Sequence, residues 1–165
     1  INSGTLLISY VGHSAKEYWA EENLLNLAAV SQLNNDFYPV MLPMTCLEGY
    51  YHEAEKGRMS LAEAMVRKSG GGAIASWSSS GLGLASGHDY LERGFFISVF
   101  YNGLNEMGVA TNQGKLYLST YAPAGKYDDL MNTFTLLGDP ALHLRTLDSV
   151  PEERTYGIFL PAIIR

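Results

Sequence analysis

Cys46 is the only cysteine in the chain, and it closes a mainly apolar stretch that ends Pro43-Met44-Thr45. His13 stands in the same relation to an earlier stretch ending Tyr10-Val11-Gly12. A thiol and an imidazole at the ends of two strands are the minimum equipment for attack on a carbonyl: the sulfur is the nucleophile, and the imidazole hands a proton to the departing amine. Taken singly, each has a blander explanation, because a lone cysteine usually behaves as a small buried apolar residue and a lone histidine as a packing group. What separates the two readings is whether parallel strands bring positions 13 and 46 to one sheet edge.

The elements needed for that are visible in the pattern. Thr5 to Val11 is an almost unbroken apolar run, as expected of a strand covered on both faces. Glu21 to Leu33 carries apolar residues near the helical period, with Glu21 and Glu22 in the first turn. Tyr38 to Met44 reads as the second strand, with Pro39 and Pro43 better suited to its ends than to a central ladder position. Ser60-Leu61-Ala62-Glu63 is a capping box that opens a helix through Lys68, and Gly70 to Gly72 close it. A short strand from Ala73 to Ser76 then leads into a serine- and glycine-rich loop, Trp77 to Gly83, of the kind that forms ligand walls.

His88 to Glu106 predicts one long amphipathic helix, and Gly114 to Leu137 one or two more, stopped by Gly138-Asp139-Pro140. A last strand is expected from Ala141 to Arg145. The domain proper spans 1–147, a polar hinge spans 148–154, and a β-prone apolar tail, 155–165, is suited to pairing with another subunit. Alternating strands and helices define an α/β fold with a mostly parallel sheet.

Composition narrows the function classes. With 165 residues, 47% of them hydrophobic, the chain has the size and apolar content of one domain with one core. Seventeen acidic residues against eleven basic ones give a net charge of −6, and the absence of any basic cluster argues against nucleic acid as a partner. No apolar run approaches the roughly 20 residues of a membrane span, and the first residues lack the order of a signal peptide. His52, His88 and His143 with Glu48, Glu53 and Glu55 match no zinc or EF-hand spacing and read as surface or capping groups. Gly81 to Gly87 lacks the ending of a phosphate loop. No cofactor is expected, and a structural calcium is not readable from the sequence.

The residues also resemble a family. Tyr10-Val11-Gly12-His13, Trp19, Thr45-Cys46 with Gly49, Leu61-Ala62-Glu63-Ala64, Ala73-Ile74-Ala75-Ser76 and the block Thr133 to Leu142 are similar, in order and spacing, to the gingipain-type cysteine peptidases of the caspase-like group. The resemblance covers about Leu6 to Leu147. It implies a caspase-like three-layer αβα fold lacking the N-terminal strands of the full fold. It also implies Cys46 as nucleophile, His13 as its partner, an oxyanion hole from the backbone amides of Cys46 and Ser14, and a substrate-binding wall of Ser76, Trp77 and Ser78, with a place in the core as the equal alternative for Trp77. Ser14 is a departure, because the family usually has glycine after the histidine. The family's acidic specificity residue lies in the absent front part, so no side-chain preference carries over.

The function expected is that of a cysteine endopeptidase hydrolysing protein or peptide substrates through a thioester. Two alternatives use the same residues differently. One is a structural or assembly subunit, a homo-oligomer or filament, in which neighbouring protomers or a separate N-terminal part complete the sheet. The other is a surface sortase or transpeptidase, which passes the acyl group to an amine. The Phe159-Leu160-Pro161 tail, similar to the endings of secreted bacterial proteins, points to an extracellular or cell-surface location.

Overall fold

The apolar run at the N-terminus forms strand β1 (Leu7–Val11), and the run before Cys46 forms β4 (Val40–Met44), every residue of which is buried. In the computed structural model, which describes residues 1–52 and 58–146, these two strands lie parallel. Leu7 stands opposite Val40 and Val11 opposite Met44. β5 (Ala75–Ser79) is parallel to β4, and β6 (Phe134–Leu137) runs antiparallel on the far side, giving the order β1-β4-β5-β6. Two short strands, β2 (Tyr18–Trp19) and β3 (Leu25–Asn26), make a separate hairpin beyond β1.

Alternation along β4 builds a core on each face of the sheet. Val40, Leu42 and Met44 join Trp77, Leu91, Phe95 and Phe134, under helices α3 (His88–Phe96), α4 (Met107–Tyr121) and α5 (Asp128–Thr133). Met41 faces the other way, onto Trp19, Val30, Leu61 and Met65, under α1 (Leu27–Ser31) and α2 (Leu61–Arg67). Helices on both faces of a mostly parallel sheet are the three αβα layers expected. The capping box forms as read: Glu63 N donates to Ser60 Oγ at 3.3 Å and Ser60 N to Glu63 Oε2 at 2.9 Å.

Several elements differ from the sequence reading. Only five residues of the 21–33 stretch are helical, because Ala20 and Asn23 adopt left-handed backbone (φ 55° and 56°) and turn the chain into the hairpin. Pro43 sits inside β4 rather than at its end. The β4–β5 ladder covers only Val40 and Met41, so the proline stands where β5 has already parted and its missing N–H breaks no bond on that side.

β5 extends through Ser79, so Trp77 and Ser78 are strand residues rather than loop. The long helix expected after His88 ends its regular part at Phe96, passes through a π-helical turn (Ile97–Tyr101) and stops before Gly103. Gly138 follows β6 instead of a helix; a Cβ there would lie 2.6 Å from that of Ala75, so no other residue fits. The strand expected at Ala141 to Arg145 is reduced to one bridge, Glu106 to His143. The hinge and tail, 148–165, lie outside the described residues.

Candidate active site

The parallel register of β1 and β4 decides where the chemistry-bearing residues fall. Val11 opposes Met44, so two residues further along each strand His13 and Cys46 leave the same sheet edge side by side. The His13 loop is held from below. Its carbonyl takes the Tyr10 hydroxyl at 2.8 Å and the Ala20 amide at 2.9 Å, and the Tyr10 ring stacks on Trp19 with centroids 4.5 Å apart and planes 7° from parallel. That leaves the imidazole exposed at the surface.

Cys46 is half-buried and starts a tight turn. Leu47 is left-handed (φ 61°), a conformation that non-glycine residues adopt at a cost of about 1–3 kcal/mol and that concentrates at functional sites. The turn is anchored on the β5 loop, with Leu47 N donating to Gly81 O at 3.1 Å and Gly49 N to Ser79 O at 2.9 Å. The thiol donates to Gly83 O at 3.5 Å rather than to the imidazole. These bonds use the amides of Leu47 and Gly49 and, in the His13 loop, those of Ala15 and Ala20; the amides of Ser14 and Cys46 take no part in them. Ser14 has no left-handed backbone, so a side chain fits where the family usually has glycine.

The three residues expected to wall the substrate site divide between faces. Ser76 and Ser78 share a hydroxyl hydrogen bond of 2.8 Å, and a Cβ on Gly49 would come within 3.0 Å of Ser78 Cβ, so this pair backs the Cys46 turn. Trp77 points the other way, fully buried between Phe95 and Phe134. Strand alternation makes it impossible for all three to line one pocket, and Trp77 belongs to the core.

Two groups read from sequence as surface or capping residues are instead buried at this corner. Glu48, two residues after Cys46, is wholly inaccessible, and neither carboxyl oxygen has a hydrogen bond. Burial raises its pKa from 4.5 to about 8. The Trp19 indole N–H bears on it and draws it back slightly, though the two groups are not in hydrogen-bond geometry. The one hint in the sequence was a charge between Leu47 and Gly49, where a turn leaving a buried strand has little water to offer it.

His88, at the start of α3, is buried edge-on to Phe134 with Nε2 unpartnered. Desolvation lowers its pKa, while the Met44 carbonyl and the charge of Asp129 oppose the shift. A histidine that resists protonation when folded but protonates freely when unfolded, near pH 6.5, costs stability as pH falls below that value. His88→Phe is therefore expected to gain in unfolding temperature relative to the wild type from pH 6.5 downward and to show no such relative gain above it. His52 and His143 are exposed, the former against Tyr50 and the latter 3.0 Å from Asn105 Oδ1. Glu53 and Glu55 lie outside the described residues. Among the described residues no group of three His, Cys, Asp or Glu is placed to hold a metal.

Sheet order, helices on both faces and paired strand ends define an α/β protein of the caspase-like peptidase type. The family model for peptidase family C25 matches residues 1–145, and the chain belongs to that family. Among solved structures it is similar to gingipain R, described as an Arg-specific cysteine proteinase, at 25% identity and a TM-score of 0.71, covering 88% of this chain and 35% of that one. It is also similar to the complex of the pro- and mature domains of Porphyromonas gingivalis RgpB, at 24% identity and a TM-score of 0.73 over 88% and 36% of the two chains. A structure described only as a protease shares the fold at 18% identity and a TM-score of 0.77, over 97% and 40%. The chain thus spans between about a third and two fifths of the length of these relatives. No curated protein matches it.

Proposed function

We propose that this chain carries the catalytic centre of a cysteine endopeptidase, with Cys46 as nucleophile and His13 as proton donor. The observation that supports it most is the β1–β4 register, which delivers both residues to one edge. The Cys46 sulfur attacks the scissile carbonyl as thiolate, the C–S bond forms, and the carbonyl electron pair moves to oxygen between the amides of Ser14 and Cys46. Collapse breaks the C–N bond, and the amine leaves with a proton from the His13 imidazolium. Water then hydrolyses the thioester, His13 taking its proton, and the free thiol returns. No cofactor enters these steps.

Ser76 and Ser78, behind Gly49, support the wall of the substrate groove. The substrate is a protein or peptide chain, and we place the activity outside the cell or at the bacterial surface, as the resemblance to the gingipain-type peptidases implies. No described helix is long and apolar enough to cross a membrane. Cys46→Ala is expected to keep the wild-type unfolding temperature within a few degrees and to cleave no peptide; cleavage at the wild-type rate by this variant would refute the reading.

One further observation favours a partner. β1 is an edge strand, with Ser9 and Val11 exposed, and an edge strand of this kind accepts another strand by backbone pairing. A separate part of the same fold, or a neighbouring protomer, would complete the sheet there. An assembly role with weak hydrolysis, or acyl transfer to an amine, uses the same acyl-enzyme and is separated from hydrolysis by the fate of the thioester.

A further inference from the structure

We propose that Ser14 is a positioning residue that holds the two oxyanion amides in register, a role that rests on the peptidase reading and deepens it. The peptide unit between Cys46 and Leu47 is gripped at both ends. Its carbonyl accepts the Ser14 hydroxyl, and its N–H donates to Gly81 O at 3.1 Å. The Ser14 hydroxyl is itself fixed, because it accepts a hydrogen bond from Thr45 Oγ1 at 2.9 Å, and Thr45 is wholly buried. A hydroxyl has one proton to give. Here it goes to Cys46, and the Thr45 bond sets the rotamer from which it is given.

The grip matters because the next residue is strained. Leu47 is held left-handed, so the 46–47 peptide would relieve strain by rotating if its carbonyl were released. Rotation there turns the Cys46 carbonyl away from Ser14, so the loop that carries the Ser14 amide is no longer tied to the residue that carries the Cys46 amide. Ser14 also carries the second amide of the hole. One hydroxyl therefore ties the two halves together across the seam where β1 and β4 have stopped pairing. Glycine at 14 would present the same amide with no bridge. The Ser14 hydroxyl bonds to the Cys46 carbonyl and to Thr45 Oγ1, and it acts through Cys46.

The test compares wild type, Ser14→Ala and Ser14→Thr in the full chain, on a peptide that the wild type cleaves. Ser14→Ala is expected to lower kcat by about 10- to 100-fold, a fraction of what losing an oxyanion donor outright costs, with KM within twofold. Ser14→Thr, which keeps the hydroxyl, should recover most of the loss. Alkylation of Cys46 by iodoacetamide builds no oxyanion and should proceed at one rate in all three. An alanine variant with wild-type kcat, or alanine and threonine variants that lose equally, would overturn the role of Ser14. A wild type that is alkylated at Cys46 yet cleaves no peptide overturns the peptidase reading and this role with it, a result distinct from an active wild type indifferent to Ser14→Ala.

Discussion

Replacement of His13 by alanine is expected to slow peptide cleavage by about 10²- to 10⁴-fold, the usual contribution of a positioned general acid or base. The loss should depend on the leaving group. An amine cannot depart from the tetrahedral intermediate without a proton, whereas an activated ester departs as a stable anion. His13→Ala should accordingly lose far less on a p-nitrophenyl ester than on an amide of the same acyl group.

The structure gives a reason to expect the variant to fold. His13 is held through its backbone carbonyl, by Tyr10 and Ala20, and its exposed ring has no packing role to lose. The thiol's own hydrogen bond runs to Gly83, so the sulfur keeps its place without the imidazole. Equal losses on ester and amide would contradict proton donation by His13.

The second large effect concerns stability. Folded, Glu48 keeps its proton up to about pH 8, while in the unfolded chain it ionises near 4.5. Those two values fix the sign. Below 4.5 both states hold the proton and burial carries no ionisation penalty; between 4.5 and 8 only the unfolded state releases it, so stability falls as pH rises; above 8 the penalty is constant. At about 1.4 kcal/mol per pH unit over the 2.5 units from 4.5, the cost at pH 7 is on the order of 3 to 4 kcal/mol.

Glu48→Gln has the shape of the protonated acid and cannot ionise. It should therefore be more stable than wild type by up to that amount at pH 7, by more at pH 8, and by nothing near pH 4. Denaturant unfolding at these three pH values measures it. A variant equally stable or less stable than wild type at pH 8 would show that the carboxyl has found a partner. Glu48 and His88 act in opposite directions, the first penalising the folded state as pH rises and the second as it falls below 6.5. Between pH 4.5 and 6.5 the two contributions oppose each other, so each is read in its own variant against the wild type.

What the sequence revealed and what it hid divide along one physical line. The capping box at Ser60 and the strand ends at Gly12-His13 and Thr45-Cys46 are set by residues adjacent in the chain, so pattern alone located them. Pro43 in mid-strand was hidden because it depends on where β5 parts from β4, a contact between distant segments. The same is true of β6, a four-residue edge strand that completes the sheet against β5 and looked like the end of a helix.

In the candidate site, the delivery of His13 and Cys46 to one sheet edge was legible from their places at the ends of two apolar runs. Glu48 was not, because charge suggests solvent and only the packing of Trp19 and α2 around the turn excludes it. For Trp77 the sequence left core and pocket as equal alternatives, and the strand boundary decides between them: once β5 runs to Ser79, alternation sends the ring into the core. The bridge from Ser14 to Cys46 required both loops in space, and the sequence showed only that a glycine was missing.

The central claim, that Cys46 is the nucleophile of a peptidase, is tested most directly by titrating the full chain with iodoacetamide and monitoring peptide cleavage. Cys46 is the only cysteine, so each equivalent of label reports one site. Activity is predicted to fall in proportion to label and to vanish at one carboxamidomethyl group per chain. Cleavage that continues undiminished when Cys46 is fully alkylated would contradict the account.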